Sequence, residues 1–351
     1  MVIWSALPKL TRSTWRSLAY EISTMRLHNA IGGYVITEFT DVHWECNGLL
    51  DMQRNVKAGL AEHLTPLNQD RVVVARPQRW SGRPGDTLPV EFVAFGVDGV
   101  EQAGLLRWQA GEASGELAAP GGLAQIPLQD AGILVVAVQW VAANGQEIAR
   151  NQVELTCVDL LTSQARLQVI DDQPLADTLV ALGYQITSEP DAPLVATRYT
   201  KSLQDAVQQG ASLLLIAGPE DEAENDRAHL PIGQLVSRAG TGWQGDWATS
   251  FSWLRKEGPF ATLPGYPLLE MAAAEIMPDA VLKGVPARAF PDIVWAGLAL
   301  GWIHKPVSLL HKAPYGSGEI LVTTFKLNAT TLQENVVAQA IFAGCVELLS
   351  L

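Results

Sequence analysis

Between Glu38 and Asp51 the chain gathers side chains suited to handling a sugar. Glu38, Asp41 and Asn47 bring carboxylate and amide groups that hydrogen-bond hydroxyls, and Trp44 brings a flat apolar face on which a sugar ring can stack. His43 reads as a local hydrogen-bonding residue. Asp41 reads equally as the cap of the next turn, and Asn47-Gly48 as turn chemistry. Glu45 and Asp51 either belong to the same site or pair with Arg54 and Lys57. A second cluster lies far downstream, where Trp243, Asp246, Trp247 and Trp253 fall within eleven residues of loop-like composition. It is either a carbohydrate platform or a loop packed on its neighbours, since tryptophan buries much area at small entropic cost.

The first cluster needs an element to hold it. Tyr34 to Phe39 is short, β-branched and aromatic, and follows Gly32-Gly33, which predicts a buried parallel strand. Upstream, residues 1–11 hold little. From Ser13 to about Asn29, Trp15, Leu18, Ala19, Ile22 and Met25 recur at helical spacing. Helix, tight turn and strand make one unit of an α/β barrel or open sheet. A (β/α)8 barrel takes ~250 residues, whereas about sixty precede the next change of pattern. The barrel is therefore not expected to be all here.

Residues 34–57, Tyr-Val-Ile-Thr-Glu-Phe-Thr-Asp-Val-His-Trp-Glu-Cys-Asn-Gly-Leu-Leu-Asp-Met-Gln-Arg-Asn-Val-Lys, resemble the last barrel strand of glycoside hydrolase family two, which includes β-galactosidases, β-glucuronidases and β-mannosidases. The resemblance lies in the strand, the Thr40-Asp41 pair, the Asn47-Gly48-Leu49 turn and the Arg54-x-x-Lys57 spacing. It implies a retaining mechanism, in which two carboxyl groups stand ~5–5.5 Å apart. In that family both catalytic glutamates come from earlier strands, one of them in an Asn-Glu dipeptide, and no Asn-Glu occurs in this chain. The resemblance thus implies no catalytic residue here. It implies sugar contact by Trp44 through stacking, and by Asp41, Glu38 and Asn47 through hydrogen bonds.

From about residue 69 to 160 the pattern is that of a β-sandwich, with strands expected over Arg71–Ala75, Thr87–Phe95, Leu105–Trp108, Ile133–Val141 and Ile148–Val158 and a hairpin turn at Asn144-Gly145. Short strands with Gly/Pro turns and no helical period predict an immunoglobulin-like fold. Trp80, Trp108 and Trp140 sit in or beside these strands and read as core. Residues 161–351 alternate helices and strands, with Ser212–Ala217 as a fully buried parallel strand, which predicts a small doubly wound, flavodoxin-like domain. This part resembles the class I glutamine-amidotransferase-like domain that follows the barrel in several β-galactosidase families. An amidotransferase needs a cysteine on the turn after a central strand. Here that turn is Gly218-Pro219, which leaves His304 with no nucleophile to activate. Gly316-Ser-Gly318 precedes a strand, whereas a dinucleotide loop follows one.

Composition narrows the classes of partner. A formal net charge of −13 argues against nucleic acid and anionic membrane surfaces. Cys46, Cys157 and Cys345 are too scattered for a disulfide framework or a zinc site and read as small buried hydrophobes. No secretion signal or membrane span is visible, so a cytoplasmic location is expected. The expectation is thus a multidomain α/β plus β chain: a barrel remnant over 1–68, an immunoglobulin-like sandwich over 69–160 and an amidotransferase-like domain over 161–351. Its expected partners are carbohydrate and either the missing barrel portion or further copies of itself. No cofactor and no metal are expected. The alternative is a non-catalytic carbohydrate-binding or subunit-assembly protein.

Overall fold

The computed structural model describes residues 3–28, 30–42, 47–96, 103–160, 163–218, 230–231, 233–238, 250–300 and 305–350. The chain divides into two compact units, Met1–Asp159 with Pro264–Ala272, and Leu160–Leu263 with Ala273–Leu351. No described helix is long and apolar enough to cross a membrane.

The first unit holds α1 (Ile3–Arg26), α2 (Leu60–His63), β1 (Arg71–Pro77), β2 (Ser81–Gly82), β3 (Thr87–Gly96), β4 (Gly104–Ala110), β5 (Ala113–Ala118), β6 (Gly121–Pro127), β7 (Gly132–Ala142) and β8 (Glu147–Cys157). Its strands form two sheets, β1-β3-β6 and β2-β8-β7-β4-β5. Period-two alternation turns Val73, Val90, Phe92 and Ile126 of one sheet toward Leu106, Val138, Trp140 and Leu155 of the other, in one core. Trp140 is fully buried there and Trp108 packs against the same cluster, whereas Trp80 meets Tyr20 edge-on at 5.9 Å.

β1 is apolar on both faces. Val73 and Ala75 belong to the sandwich core, while Val72 and Val74 join a second cluster with Trp15 and Ile22 of α1, Leu64 and Leu67. Leu18, Ala19 and Met25 pack against that cluster, so the helical face read from the sequence is the face used. α1 begins ten residues earlier than expected, at Ile3 rather than Ser13. The Trp15 indole donates to the Ala58 carbonyl at 2.8 Å. Gly59 has φ +87°, and a Cβ there would lie 3.0 Å from the Trp15 ring, so this turn requires glycine. Arg16 donates to Glu154 on β8 and to Glu270 (2.5 Å), and its guanidinium lies over the Tyr266 ring at 4.7 Å. Burial lowers its pKa, but Glu270 and Glu154 outweigh that and hold it above the usual arginine value.

The second unit holds β9 (Arg166–Ile170), α3 (Gln173–Ala181), β10 (Gln185–Ile186), β11 (Leu194–Ala196), α4 (Lys201–Gln208), β12 (Ser212–Ile216), β13 (Gln234–Ser237), β14 (Ser250–Leu254), β15 (Ala280–Lys283), α5 (Phe290–Ile293), β16 (Val294–Leu300), β17 (Lys305–Tyr315), β18 (Gly318–Thr323), α6 (Ala329–Glu334) and α7 (Val336–Leu348). β10, β9, β11, β12 and β18 run parallel in that order. Leu203 and Val207 of α4 cover one face of them through Leu213, Leu215, Ile320 and Val322. Asp172, Thr200, Asn328 and Asn335 cap α3, α4, α6 and α7 through their side-chain oxygens.

A doubly wound sheet is expected to be parallel throughout, and this one is not. β17 pairs antiparallel with β18, then both β15 and β16 pair with β17, carrying β13 and β14 beyond them. Long stretches such as Lys305–Tyr315, folding back through a tight turn at Gly316-Ser317, favour a hairpin over a crossover helix.

Candidate functional site

The segment expected to be a buried parallel strand is extended but pairs with no strand among the described residues. Tyr34, Ile36, Glu38 and Thr40 are half-buried, and alternate with exposed Val35, Thr37 and Phe39. Tyr34 and Ile36 pack on the α1 cluster, and the Tyr34 hydroxyl donates to Asn68 Oδ1 at 2.9 Å. Val35 is 90% exposed and Phe39 66%. Burial on both faces requires neighbouring strands on either side, which the described residues do not supply. The backbone of Val35, Ile36 and Thr37 makes no hydrogen bond among them.

After Glu38 the chain closes into a clasp. Leu49 and Leu50 N–H donate to the carbonyls of Glu38 (3.1 Å) and Phe39 (3.0 Å), and Asp41 N–H returns a bond to Leu50 O at 2.9 Å. Gly48 lies so close to this crossing that a Cβ would stand 2.3 Å from Asp41 N. Asp41 Oδ1 accepts from Gly48 N–H at 2.9 Å and from Lys57 Nζ at 2.6 Å, an ion pair whose side chains are only 10% and 14% exposed. Lys57 therefore pairs with Asp41. Asp51 instead organises the next turn: its carboxylate accepts from Asn55 Nδ2 (2.9 Å), Asn55 N–H (2.8 Å) and Gln53 N–H (2.9 Å). These bonds, the Asn55 side chain foremost, hold its pKa below the usual carboxylate value.

Of the residues proposed to touch sugar, the structure brings Glu38, Asp41 and Asn47 to this clasp. Glu38 stands on the half-buried side with Tyr34 and Ile36, Asp41 is engaged by Lys57 and Gly48, and Asn47 is half-buried with Oδ1 unbonded among the described residues. Trp44, with His43, Glu45 and Cys46, lies outside the described residues, as do Trp243, Asp246, Trp247 and His304. Trp253 stands on β14, across from Gly297 of β16, its ring 6.1 Å from that of Phe290. A Cβ on Gly297 would fall 2.7 Å from the indole, so the glycine makes room for it. Cys157 and Cys345 are buried, and burial drives the Cys345 thiol far up, away from thiolate chemistry.

A concavity of about 580 Å3, bordered by Ala61, Glu62 and Pro66, lies on the outer face of the five-stranded sheet. Its polar residues alternate with core residues on β4, β7 and β8, a pattern indistinguishable in sequence from any solvated sheet face.

No family model matches the chain, and no curated protein matches it. Among solved structures it is similar in part to a PKD domain of an M14-like peptidase from Thermoplasmatales archaeon SCGC AB-540-F20, at 16% identity over 25% of this chain and 93% of that one, with a TM-score of 0.21. It is similar in part to a polysaccharide lyase, at 13% identity over 28% of this chain and 14% of the lyase, with a TM-score of 0.21. It is also similar in part to a β-glucuronidase from Bacteroides uniformis, at 10% identity over 43% of this chain and 21% of the enzyme, with a TM-score of 0.25. The chain thus spans a small share of each carbohydrate-active enzyme. At these scores the likenesses carry no argument for a site or an activity.

Proposed function

We propose that the chain is the C-terminal part of a retaining glycoside hydrolase acting on β-linked sugars, of the family-two kind, in which residues 34–39 form the last strand of a barrel whose catalytic glutamates lie on other strands. In this reading 69–160 is an immunoglobulin-like sandwich and 161–351 an amidotransferase-like domain. Trp44, Glu38, Asp41 and Asn47 contribute to the sugar subsite.

One observation carries it. Tyr34 and Ile36 rest on α1 while Val35 and Phe39 lie bare, and the backbone of Val35, Ile36 and Thr37 makes no hydrogen bond among the described residues. A barrel strand has this pattern, with one set of side chains against its helix, the other filling the barrel and both backbone edges awaiting neighbours. The test is hydrolysis of p-nitrophenyl β-galactoside, β-glucuronide and β-mannoside. The purified chain should release no nitrophenol. Release that is abolished by Glu38→Gln would place the chemistry on this strand and overturn the reading.

The second reading, a non-catalytic carbohydrate-binding or assembly protein, draws on Asp41, whose carboxylate already serves Lys57 and Gly48. It requires that monosaccharides leave the amide resonances of residues 38–50 unperturbed, whereas the first requires that they shift.

A further inference from the structure

The concavity on the sandwich has a regular construction. Strand register sets four side chains in a row across β5, β4, β7 and β8, namely Ser114, Gln109, Ala137 and Gln152, beside a second row of Glu116, Arg107, Gln139 and Arg150. Adjacent strands stand ~4.8 Å apart, so both rows present a polar group at nearly every step. Ala137, the smallest side chain inside the grid, makes the floor. Pro66 and Ala61 form a wall. The volume of about 580 Å3 falls within the range of small-molecule sites, ~300–1,000 Å3.

The amides of this grid are already oriented. Gln152 Nε2 donates to Glu62 (3.0 Å), Gln139 Nε2 to Glu147 (2.9 Å) and Gln109 Nε2 to the Gly111 carbonyl (3.3 Å). Each amide nitrogen is held, and the three amide oxygens accept nothing among the described residues. Arg107 binds Glu116 through Nε at 2.8 Å, leaving its terminal N–H groups as donors. Arg150, only loosely near Glu147 at 3.9 Å, supplies more. The lining holds two guanidinium groups, Arg107 and Arg150, and two carboxylates, Glu62 and Glu116, so it carries no net charge.

Fixed acceptors and spare donors over a small apolar floor, with no excess charge, suit a ligand rich in hydroxyl groups. A peptide strand would need to pair along a sheet edge and a nucleic acid a net positive surface, whereas this hollow lies on the face of a sheet, across β5, β4, β7 and β8, with balanced charge. We propose that this face of the sandwich binds a neutral oligosaccharide, with Gln109, Gln139 and Gln152 accepting from its hydroxyls and Arg107 and Arg150 donating to them. The site is separate from the 34–57 clasp and its test is independent of hydrolysis.

The whole chain is titrated by calorimetry with cellotetraose, xylotetraose and galactotetraose, and with a tetragalacturonate as the charged comparison. At least one neutral tetrasaccharide should bind, and Ala137→Trp, which fills the floor, should weaken it by at least about ten-fold with the melting temperature unchanged. If Ala137→Trp fails to fold, Gln109→Ala/Gln152→Ala on the exposed face serves in its place and should weaken binding similarly. Absence of binding by all three neutral probes, binding indifferent to these variants, or preference for the tetragalacturonate would each overturn the proposal.

Discussion

Replacing Asp41 with Asn removes one charge from the clasp and little else. The amide oxygen can still accept from Gly48 N–H, but Lys57, only 14% exposed, loses its carboxylate. A hydrogen bond to a charged group contributes about 1.5–3 kcal/mol, and the low exposure of both partners places this pair toward the upper part of that range. Asp41→Ala also removes the Gly48 bond, for a total of about 3–4 kcal/mol, near the cost of breaking a buried pair. The loss is local, because the bonds joining 38–41 to 48–50 are few. Amide hydrogen exchange at Gly48, Leu49 and Leu50 is therefore the assay. These N–H groups bond to Asp41 Oδ1 and to the Glu38 and Phe39 carbonyls. At ~1.4 kcal/mol per decade, Asp41→Asn should speed their exchange by about ten-fold or more and Asp41→Ala by about a hundred-fold or more. If Asp41→Asn leaves these rates within a factor of about two, the carboxylate does not hold the clasp, and the reasoning from the Lys57 pair fails.

Further outcomes follow from other groups. Arg16→Ala should destabilise the first unit by about 2–4 kcal/mol in urea titrations, since it removes the cation that Glu154 and Glu270 share; Arg16→Met, which keeps the alkyl contact, should cost less, and equal losses would show that the alkyl packing contributes nothing and the charge alone matters. Trp15→Ala should cost about 3–5 kcal/mol through the cavity and the lost bond to Ala58. Burial lowers the pKa of Lys256 from 10.5 to about 8. Because the unfolded chain binds more protons between those values, stability should rise as pH climbs from about 8 toward 10.5, and Lys256→Met should flatten that slope. Asp51, whose folded pKa is depressed, contributes above the unfolded carboxylate range and loses that contribution as pH falls through the folded value, so the Gln53 and Asn55 amides should deprotect in acid, an effect absent from Asp51→Ala.

Elements whose own side chains bury most of their surface were legible in the sequence. The α1 face, β1, β3, β7, β8 and the Leu213-Leu214-Leu215 strand stand out as periodic or continuous apolar runs. β5 and β6 did not, because Ala113-Ser-Gly-Glu-Leu-Ala118 and Gly121-Gly-Leu-Ala-Gln-Ile-Pro127 have weak strand propensity and are strands only through pairing with β4 and β3. The Tyr34–Phe39 segment has strong strand propensity and is extended, but no strand among the described residues pairs with it, so the burial on both faces expected of it is absent there. At the clasp, residue types pointed to a sugar site or to turn chemistry, yet the choice of Asp41 rather than Asp51 as the partner of Lys57 depends on the Gly48 crossing, which no local pattern encodes. The saccharide face stayed hidden because its meaning lies in the register between strands.

The two-sided burial of β1 sets where this protein can be cut. An expression fragment starting near residue 69, where the composition first changes, would carry the sandwich with Val72 and Val74 stripped of Trp15, Ile22, Leu64 and Leu67. That leaves an oily stripe on an outermost strand, the kind of surface on which chains cluster. A fragment beginning before Trp15 keeps the stripe dry, so the helix acts as a built-in solubility tag for the sheet that follows it.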